Sequence, residues 1–301
     1  MSTKDYPPHP PQSLHIPVLL ESTVELLDPK EGESYLDLTA GYGGHASKIL
    51  DITGNYTESI LVDRDDNAIK CLKSLSDKGA KLMHTDFATA TKQLAEKGEM
   101  FDIVLVDLGV SSPQLDSDKR GFSFTNSGPL DMRMDQRQEK SAKTLVNTAS
   151  AEELEHIITK YGEEPAGFAK AIAKTIVSSR PLETTGQLAE LIKQTYRGKW
   201  KKIHPATRTF QAIRIAVNDE LKQIEDMLPI LPALLKPGGR VGIISFHSLE
   251  DRLVKNFLKD QFQAGYEGKL LPVTKKPILG EINDVHNPRS RSAKLRVAVK
   301  K

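Results

Sequence analysis

The residues Asp37-Leu-Thr-Ala-Gly41-Tyr-Gly43-Gly44-His45 join a short apolar segment to a helical pattern. Glycines at such a turn let a ligand approach the backbone, and the helix that follows offers unpaired N–H groups. Asp63 ends the next apolar segment, 22 residues after Gly41, where a carboxylate can bind both hydroxyls of a ribose. The pattern Gly41-x-Gly43-x-x-Ala46 therefore predicts a βαβ unit that binds an adenosine ligand, and the spacing alone does not decide which one.

Apolar segments and helical patterns alternate through the first third of the chain. Helices are predicted from Pro17 to Leu27 and from about His45, and Asp65 or Asp66 is a candidate N-cap of the next helix. This alternation predicts a doubly wound parallel sheet of the α/β class. The predicted strands are Ser34–Thr39, Ser59–Val62, Ala80–Met83 and Phe101–Leu108.

The alternation stops after Pro113. Residues 121–134 lack a clear period, and two capping boxes, Ser150 to Glu153 and Thr184 to Gln187, precede short amphipathic patterns. We therefore expect a small helical insertion over residues 115–205.

The strand and helix patterns resume near Thr207. Apolar residues at every third or fourth position predict one long helix from Thr207 to Leu228. We expect further elements after it, namely a strand Val241–Phe246, a helix from about Leu249, a short strand near Val273 and an alternating strand Ala293–Val299.

Three features favour S-adenosylmethionine over a dinucleotide. Asp37 would repel a pyrophosphate but suits the cationic amino-acid part of S-adenosylmethionine. Asp107 ends the fourth predicted strand and is directed at the same crevice. The alternating last strand is typical of the antiparallel strand in methyltransferase sheets. A dinucleotide-dependent oxidoreductase stays open as an alternative, and binding of S-adenosylhomocysteine rather than NAD would distinguish the two.

The composition is that of an ordinary globular protein, with 38% hydrophobic and 27% charged residues among 301. No apolar run is long enough to span a membrane, and residues 1–11 lack the features of a secretory or transit peptide, so we expect a cytoplasmic protein. The single cysteine, Cys71, excludes a multi-cysteine zinc site, and we predict no metal.

Two basic segments contrast with a net charge of only +2. Residues 193–208 contain six Lys or Arg and no acid, with Tyr196 and Trp200 interleaved, and residues 285–301 contain six more. Such segments are solvated surfaces as often as nucleic-acid contacts, so both interpretations stay open.

The sequence resembles the bacterial 16S ribosomal RNA cytosine-N4 methyltransferases, the RsmH or MraW family, from His15 to nearly its end. One departure is Gly41-Tyr-Gly43, where the family often has Gly-Arg-Gly. The blocks that carry the resemblance are His15-Ile-Pro-Val-Leu-Leu-Glu21, Gly43-Gly44-His45, Asp63-Arg-Asp65, Asp107-Leu-Gly-Val-Ser-Ser-Pro-Gln114, Arg120-Gly-Phe-Ser-Phe124, Gly128-Pro-Leu-Asp-Met-Arg-Met134, His204-Pro-Ala-Thr-Arg-Thr-Phe-Gln-Ala-Ile-Arg214, Ser245-Phe-His-Ser-Leu-Glu-Asp-Arg252 and Asn287-Pro-Arg-Ser-Arg-Ser-Ala-Lys-Leu-Arg296.

We therefore expect a methyltransferase domain of residues 1–114 and 206–301, of which the polar, proline-rich residues 1–12 are disordered, and a substrate-recognition domain of residues 115–205. The family resemblance also has implications for the cofactor. It implies that S-adenosyl-L-methionine is the cofactor. The residues implied to contact it are Gly43, Gly44, His45, Asp63, Phe87, Asp107 and Gln114.

The implied reaction is direct transfer of a methyl group to the exocyclic N4 of a cytidine in the decoding region. We expect Asp107, and with it Ser112, to organise the target amine. Methylation at C5 would need a cysteine nucleophile, and Cys71 lies on a helix away from the expected crevice.

The expected partner is small-subunit ribosomal RNA or the assembled small subunit, not a membrane, and monomer and homodimer are both open. A non-catalytic RNA-binding assembly factor on the same fold is a further alternative, although the intact glycine turn argues against it. Candidate RNA contacts, each equally interpretable as a structural ion pair, are Arg120, Arg133, Lys199, Lys201, Lys202, Arg208, Arg214, His247 and Arg252.

Overall fold

The computed structural model describes residues 17–198 and 204–301. The predicted disordered segment 1–12 lies outside these ranges, as do Lys199, Lys201 and Lys202. The helices and strands are α1 (Leu20–Leu27), β1 (Tyr35–Asp37), α2 (Gly44–Thr53), β2 (Ile60–Asp63), α3 (Asp66–Cys71), α4 (Lys73–Ser76), β3 (Lys81–His84), α5 (Phe87–Glu96), β4 (Phe101–Asp107), α6 (Ser112–Asp116), α7 (Ala142–Thr148), α8 (Ala151–Gly162), α9 (Ala166–Ser178), α10 (Thr185–Thr195), α11 (Thr207–Asn218), α12 (Glu220–Met227), β5 (Leu235–Ser245), α13 (Ser248–Gln263), β6 (Leu270–Pro272), β7 (Ile278–Leu279), α14 (Gly280–Asn283) and β8 (Lys294–Lys300), with 3₁₀ turns at Asp118–Arg120, Leu231–Leu234 and Pro288–Ser292.

One mixed sheet forms the centre of the molecule, in the order β3-β2-β1-β4-β5-β8-β6. The strands β1 to β5 are parallel, whereas β8 runs antiparallel between β5 and β6. The short β7 pairs with the beginning of β8, on the same side as β6. The parallel strands bring the ends of β1, β2 and β4 to one edge, so Asp37, Asp63 and Asp107 meet there.

Helices cover both faces of this sheet. On one face Leu27, Ile49 and Leu50 of α1 and α2 are fully buried against the strands. On the other face Leu94, Ile224 and Val254 bring α5, α12 and α13 into a second apolar cluster. This arrangement confirms the predicted doubly wound α/β class and the antiparallel C-terminal strand.

The helical region has its own apolar core, which contains Ile158, Ile172 and Leu188. Both predicted capping positions are present: Ser150 accepts from the Glu153 N–H, and Thr184 forms a complete capping box with Gln187. The core also includes Phe210 and Ile213 of α11, so it extends beyond the segment 115–205.

Three boundary predictions need correction. The predicted long helix is two helices, because Asp219 adopts a left-handed conformation with φ 51° between α11 and α12. Asn218 explains the break, since its side chain bonds Met132 O and Met134 N at 2.8 Å each and anchors the chain to the irregular segment. Pro17 precedes α1 instead of lying in its first turn, and β5 begins at Leu235 because that residue pairs with Phe101.

No helix within 17–198 or 204–301 has the length and apolar character needed to cross a membrane.

Candidate active site

A cavity of about 700 Å³ opens at the carboxyl ends of β1, β2 and β4. This volume is typical of a small-molecule site. Six of the seven predicted cofactor contacts line the cavity: Gly44, His45, Asp63, Phe87, Asp107 and Gln114. Ser112 and Arg214 line the same cavity.

The glycine turn shapes one wall. Gly41 has φ 52°, and its N–H donates to Oδ2 of Asp63 at 2.8 Å. Gly43, the N-cap of α2, has φ 82° and is not among the cavity-lining residues. A Cβ there would lie 3.2 Å from Leu72 Cδ2, so this glycine is required by the turn and by helix packing.

Asp63 is positioned by two backbone donors. Its second oxygen accepts from the Asp65 N–H at 2.8 Å. Burial raises the pKa of Asp63, while the N–H groups of Asp65 and Gly41 oppose that rise. Each carboxylate oxygen has a further lone pair, which leaves the group able to accept hydroxyl hydrogens in the cavity.

Asp107 is partly buried, and one of its oxygens is both inaccessible to solvent and without a hydrogen-bond donor in the described part of the chain. Its Oδ1 has no hydrogen-bond partner among the described residues. Burial raises the pKa of Asp107 well above its ordinary value, and the nearby acids Asp37 and Glu250 raise it further. A buried acceptor without a donor is costly, so this atom is suited to a ligand that brings an N–H group or a positive charge.

Asp37 lies behind the cavity instead of in its wall, in contrast to the sequence-based expectation. One of its oxygens accepts from Tyr35 Oη at 2.7 Å, and the other accepts from the Thr39 N–H at 3.1 Å. Burial raises its pKa to about 7. Asp37 therefore holds the turn, and when it is ionised its charge raises the pKa of Asp107.

Gln114 and Arg120 converge on the buried Asp65. Gln114 Nε2 donates to Asp65 Oδ2 at 2.7 Å, and Arg120 Nη1 donates to the same oxygen at 2.5 Å. Arg120 Nη2 donates to the carbonyls of Arg133 and Met134. Arg120 is 5% exposed, so its guanidinium is a structural group beneath the site and is not presented to RNA.

The cavity is also lined by Arg214, Glu220 and Glu250. Arg214 binds Glu220 through two hydrogen bonds of 2.9 and 2.8 Å. Sequence reasoning identified Arg214 but missed both glutamates. Glu250 could have been found from its position three residues after the N-cap His247. Glu220 follows a helix break that the apolar periodicity does not indicate, so the sequence carried no signal for it.

The remaining basic candidates are placed as follows. Arg133 is held by Asp131 and by the carbonyls of Gln136 and Gln138. Arg208 and Arg252 are more than half exposed, near Glu164 and Glu163 respectively. His247 caps α13, where its Nδ1 accepts from the N–H of Glu250. Among these, Arg208 and Arg252 present charge to solvent.

Known proteins resemble this chain over nearly its whole length. Residues 12–301 match the profile of the family described as the MraW methylase family. A protein of a Cyanothece species, named ribosomal RNA small subunit methyltransferase H, is 48% identical over 96% of this chain and 95% of its own. A Geobacter protein of the same name is 46% identical over 95% of this chain and 98% of its own. Because the family profile and both relatives match nearly the whole sequence, this chain belongs to the MraW methylase family.

Proposed function

We propose that the chain methylates the exocyclic N4 of a cytidine in the decoding region of small-subunit ribosomal RNA. The observation that carries the proposal is Oδ1 of Asp107, a buried and unpartnered acceptor in the wall of the cavity. An exocyclic amine supplies the N–H that this oxygen lacks. The curated relatives, whose names specify ribosomal RNA of the small subunit, support the choice of substrate.

The cavity residues fit the cofactor S-adenosyl-L-methionine. Asp63 can accept from both ribose hydroxyls, and Phe87, in the first turn of α5 and 7% exposed, can pack on the adenine. Burial and the nearby Asp37 disfavour ionisation of Asp107, and a cation bound beside Asp107 would favour its charged form. The cofactor supplies an electrophilic methyl group bound to positively charged sulfur.

The protein's contribution is orientation and electrostatics. The lone pair of cytosine N4 is delocalised into the ring, so an acceptor that holds one N–H favours a geometry in which the lone pair can attack in line. We assign this acceptor to Asp107. Ser112, the second residue predicted for this role, is 6% exposed in the first turn of α6 and lines the same cavity.

The exposed position of Cys71 supports direct attack over a covalent C5 mechanism. Cys71 ends α3 and does not line the cavity in the described structure. The antiparallel β8 likewise argues against the oxidoreductase alternative, because dinucleotide-binding sheets of the 3-2-1-4-5-6 order are built from parallel strands.

We propose the helical region 115–205, together with α11, as the part that grips RNA around an extruded cytosine, since a base must leave its stack to reach the cofactor. The candidate phosphate contacts are Arg208 and Arg252, with Lys199, Lys201 and Lys202 outside the described residues. Either ribosomal RNA or an assembled small subunit would place the reaction in the cytoplasm.

Nucleoside mass spectrometry tests this function. Ribosomal RNA or small subunits that lack the modification would be incubated with the protein and isotopically labelled S-adenosylmethionine. We expect labelled N4-methylcytidine in the RNA. Label in 5-methylcytidine, or no label in either substrate form, would contradict the proposal.

A further inference from the structure

The cluster Arg214, Glu220, His247 and Glu250 lies beside the proposed methyl-transfer centre, and the cofactor contacts do not account for it. Glu220 and Glu250 are 4% and 1% exposed, and both line the cavity. One carboxylate oxygen of Glu220, one of Glu250 and a ring nitrogen of His247 all lie within 4.8 Å of one another. Two buried carboxylates in a cavity wall require a compensating partner or a function.

Glu220 is compensated by Arg214. The paired hydrogen bonds of 2.9 and 2.8 Å use Nε and Nη2 of the guanidinium and fix its plane. Nη1 makes no hydrogen bond to any residue in the described ranges. Because Arg214 lines the cavity, the Nη1 donors are available to a ligand there.

Glu250 is held by one of its oxygens. Oε2 accepts from the backbone N–H groups of Phe246 and His247, at 2.8 and 3.3 Å. Oε1 lies 3.2 Å from His247 Nε2 and accepts from no backbone group in the described structure. Burial opposes ionisation, but His247 and Arg214 lower the pKa of Glu250, so Oε1 is a charged acceptor at neutral pH.

These groups match the edge of a cytosine. Cytosine presents an amino donor at N4 next to ring acceptors at N3 and O2. We propose that Oε1 of Glu250 accepts an N4–H and that Nη1 of Arg214 donates to the ring acceptors, which makes this pair the base-reading element of the site. The assignment rests on the proposed function and deepens it, since uracil would bring its O4 acceptor against the carboxylate.

Phe246 and Asp107 relate the base-reading element to the proposed methyl-transfer centre. Phe246 lines the cavity, and its backbone N–H donates to Glu250. Its Cδ2 would lie 3.6 Å from a Cβ placed on Gly109, which is two residues after Asp107. The charge of Glu250 is close enough to raise the pKa of Asp107. An amine between the two carboxyl groups would give one hydrogen to each of them.

A metal ion is the competing occupant of the cluster, and the hydrogen bonds disfavour it. His247 Nδ1 accepts from the Glu250 N–H at 3.4 Å, so the ring hydrogen is on Nε2, which lies 3.2 Å from Oε1 of Glu250 and has no lone pair for a metal. Both oxygens of Glu220 already bind Arg214.

The test compares three nucleotides with S-adenosylhomocysteine present at saturation: cytidine, uridine and pyrimidin-2-one riboside 5′-monophosphates. The pyrimidin-2-one keeps N3 and O2 but lacks the amine. Affinities would be measured by NMR titration. The wild type is expected to bind the cytidine nucleotide about tenfold or more tightly than the pyrimidin-2-one, as for a hydrogen bond to a charged acceptor.

Glu250→Gln should reverse part of this preference. The backbone donors at Oε2 keep the amide oxygen in that place, so the Gln NH₂ replaces Oε1 and offers donors. The ratio of cytidine to pyrimidin-2-one affinity should fall below about threefold, and uridine should gain relative to cytidine. Glu163→Gln is the control, because Glu163 binds Ser248 and Arg252 outside the cavity.

Three outcomes would overturn the assignment: a wild type that fails to prefer cytidine, an unchanged ratio in folded Glu250→Gln, or stoichiometric Mn²⁺ binding that is lost in His247→Ala and detected by electron paramagnetic resonance. Formation of N4-methylcytidine by the wild type is measured separately. If it forms without the nucleotide preference, the base-reading element is wrong while the proposed function stands.

Discussion

The ring nitrogen Nδ1 of His45 lies 3.7 Å from Oδ2 of Asp107, yet the two side chains do not form an ion pair at neutral pH. His45 Nε2 lies 3.1 Å from the carbonyl of Val18, which can only accept, so the proton is on Nε2. Burial lowers the pKa of His45 to about 4. A neutral imidazole therefore faces a carboxyl group whose own pKa is raised, and neither stabilises the charge of the other.

Asp107→Asn should make the protein more stable and inactive. The pKa of Asp107 in the folded chain is well above its unfolded value of about 3.9, so the wild-type carboxyl costs stability as pH rises above that value. The melting temperature of the variant should match the wild type near pH 4 and exceed it by more as the pH rises above that value. Methyl transfer should fall about a hundredfold or more. A variant that melts lower at pH 8.5 would contradict this account of Asp107.

His45→Gln should reduce the decrease in the free energy of unfolding that occurs as the pH falls from 7 to 5. Because the folded pKa of about 4 lies below the ordinary histidine pKa of 6.5, His45 contributes stability above pH 6.5 that is lost as pH falls towards 4. Between pH 7 and 5 this amounts to about 2 kcal/mol. Urea unfolding at the two pH values should show a correspondingly smaller decrease for the variant. His156→Gln, an exposed control, should behave like the wild type.

Asp63→Ala should weaken cofactor binding. Hydrogen bonds to a charged acceptor contribute about 1.5–3 kcal/mol, so calorimetry should show at least a roughly tenfold loss of S-adenosylhomocysteine affinity. Asp77→Ala, on the exposed turn after α4, is the control. Unchanged affinity in a folded Asp63→Ala protein would remove Asp63 from the site.

Cys71→Ser should keep near-full methyl transfer. Direct attack by N4 needs no protein nucleophile, and Cys71 is exposed outside the cavity. Initial rates with labelled cofactor measure the effect. Loss of turnover in a variant that folds and binds cofactor would contradict the direct mechanism.

Replacing Lys199, Lys201 and Lys202 together by Ala should weaken RNA binding and flatten its salt dependence. Each lost phosphate contact on single-stranded RNA should reduce the slope by about 0.7. Filter binding at several salt concentrations measures it, with Lys73, Lys92 and Lys97 as a matched triple on the exposed surface of the sheet domain. An unchanged slope would identify the segment as a solvated surface. Arg208, Arg252 and the basic residues of the segment 285–301 would then be the remaining candidate RNA contacts.

The sequence predicted the sheet and cofactor half of the site well, because the signals there are local. A glycine turn, an acid at the end of each strand and caps such as Asp65 are defined by neighbouring residues. The predicted N-cap at Asp65 or Asp66 is confirmed at Asp65, whose side chain accepts from the Asn67 N–H.

The substrate side of the cavity was harder to predict because it is made by contacts distant in sequence. Arg120 is buried by Asp65, 55 residues away, and no periodicity indicates this. Glu220 reaches the cavity because Asp219 breaks a helix that the apolar pattern would continue. The anchor of that break, Asn218, binds residues more than 80 positions earlier.

The close contact of α8 with α11 limits which segments of the chain can be exchanged with those of a relative. A Cβ on Gly162 would lie 2.8 Å from the carbonyl oxygen of Arg208, so the two backbones fit only through a residue without a side chain. A chimera that exchanged residues 115–205 with a relative would separate these surfaces and set a foreign α8 against the native α11. An exchange that ends after Glu220 would carry both helices and the Arg214–Glu220 pair, so the arginine of the base-reading element would be transferred together with the carboxylate that fixes it.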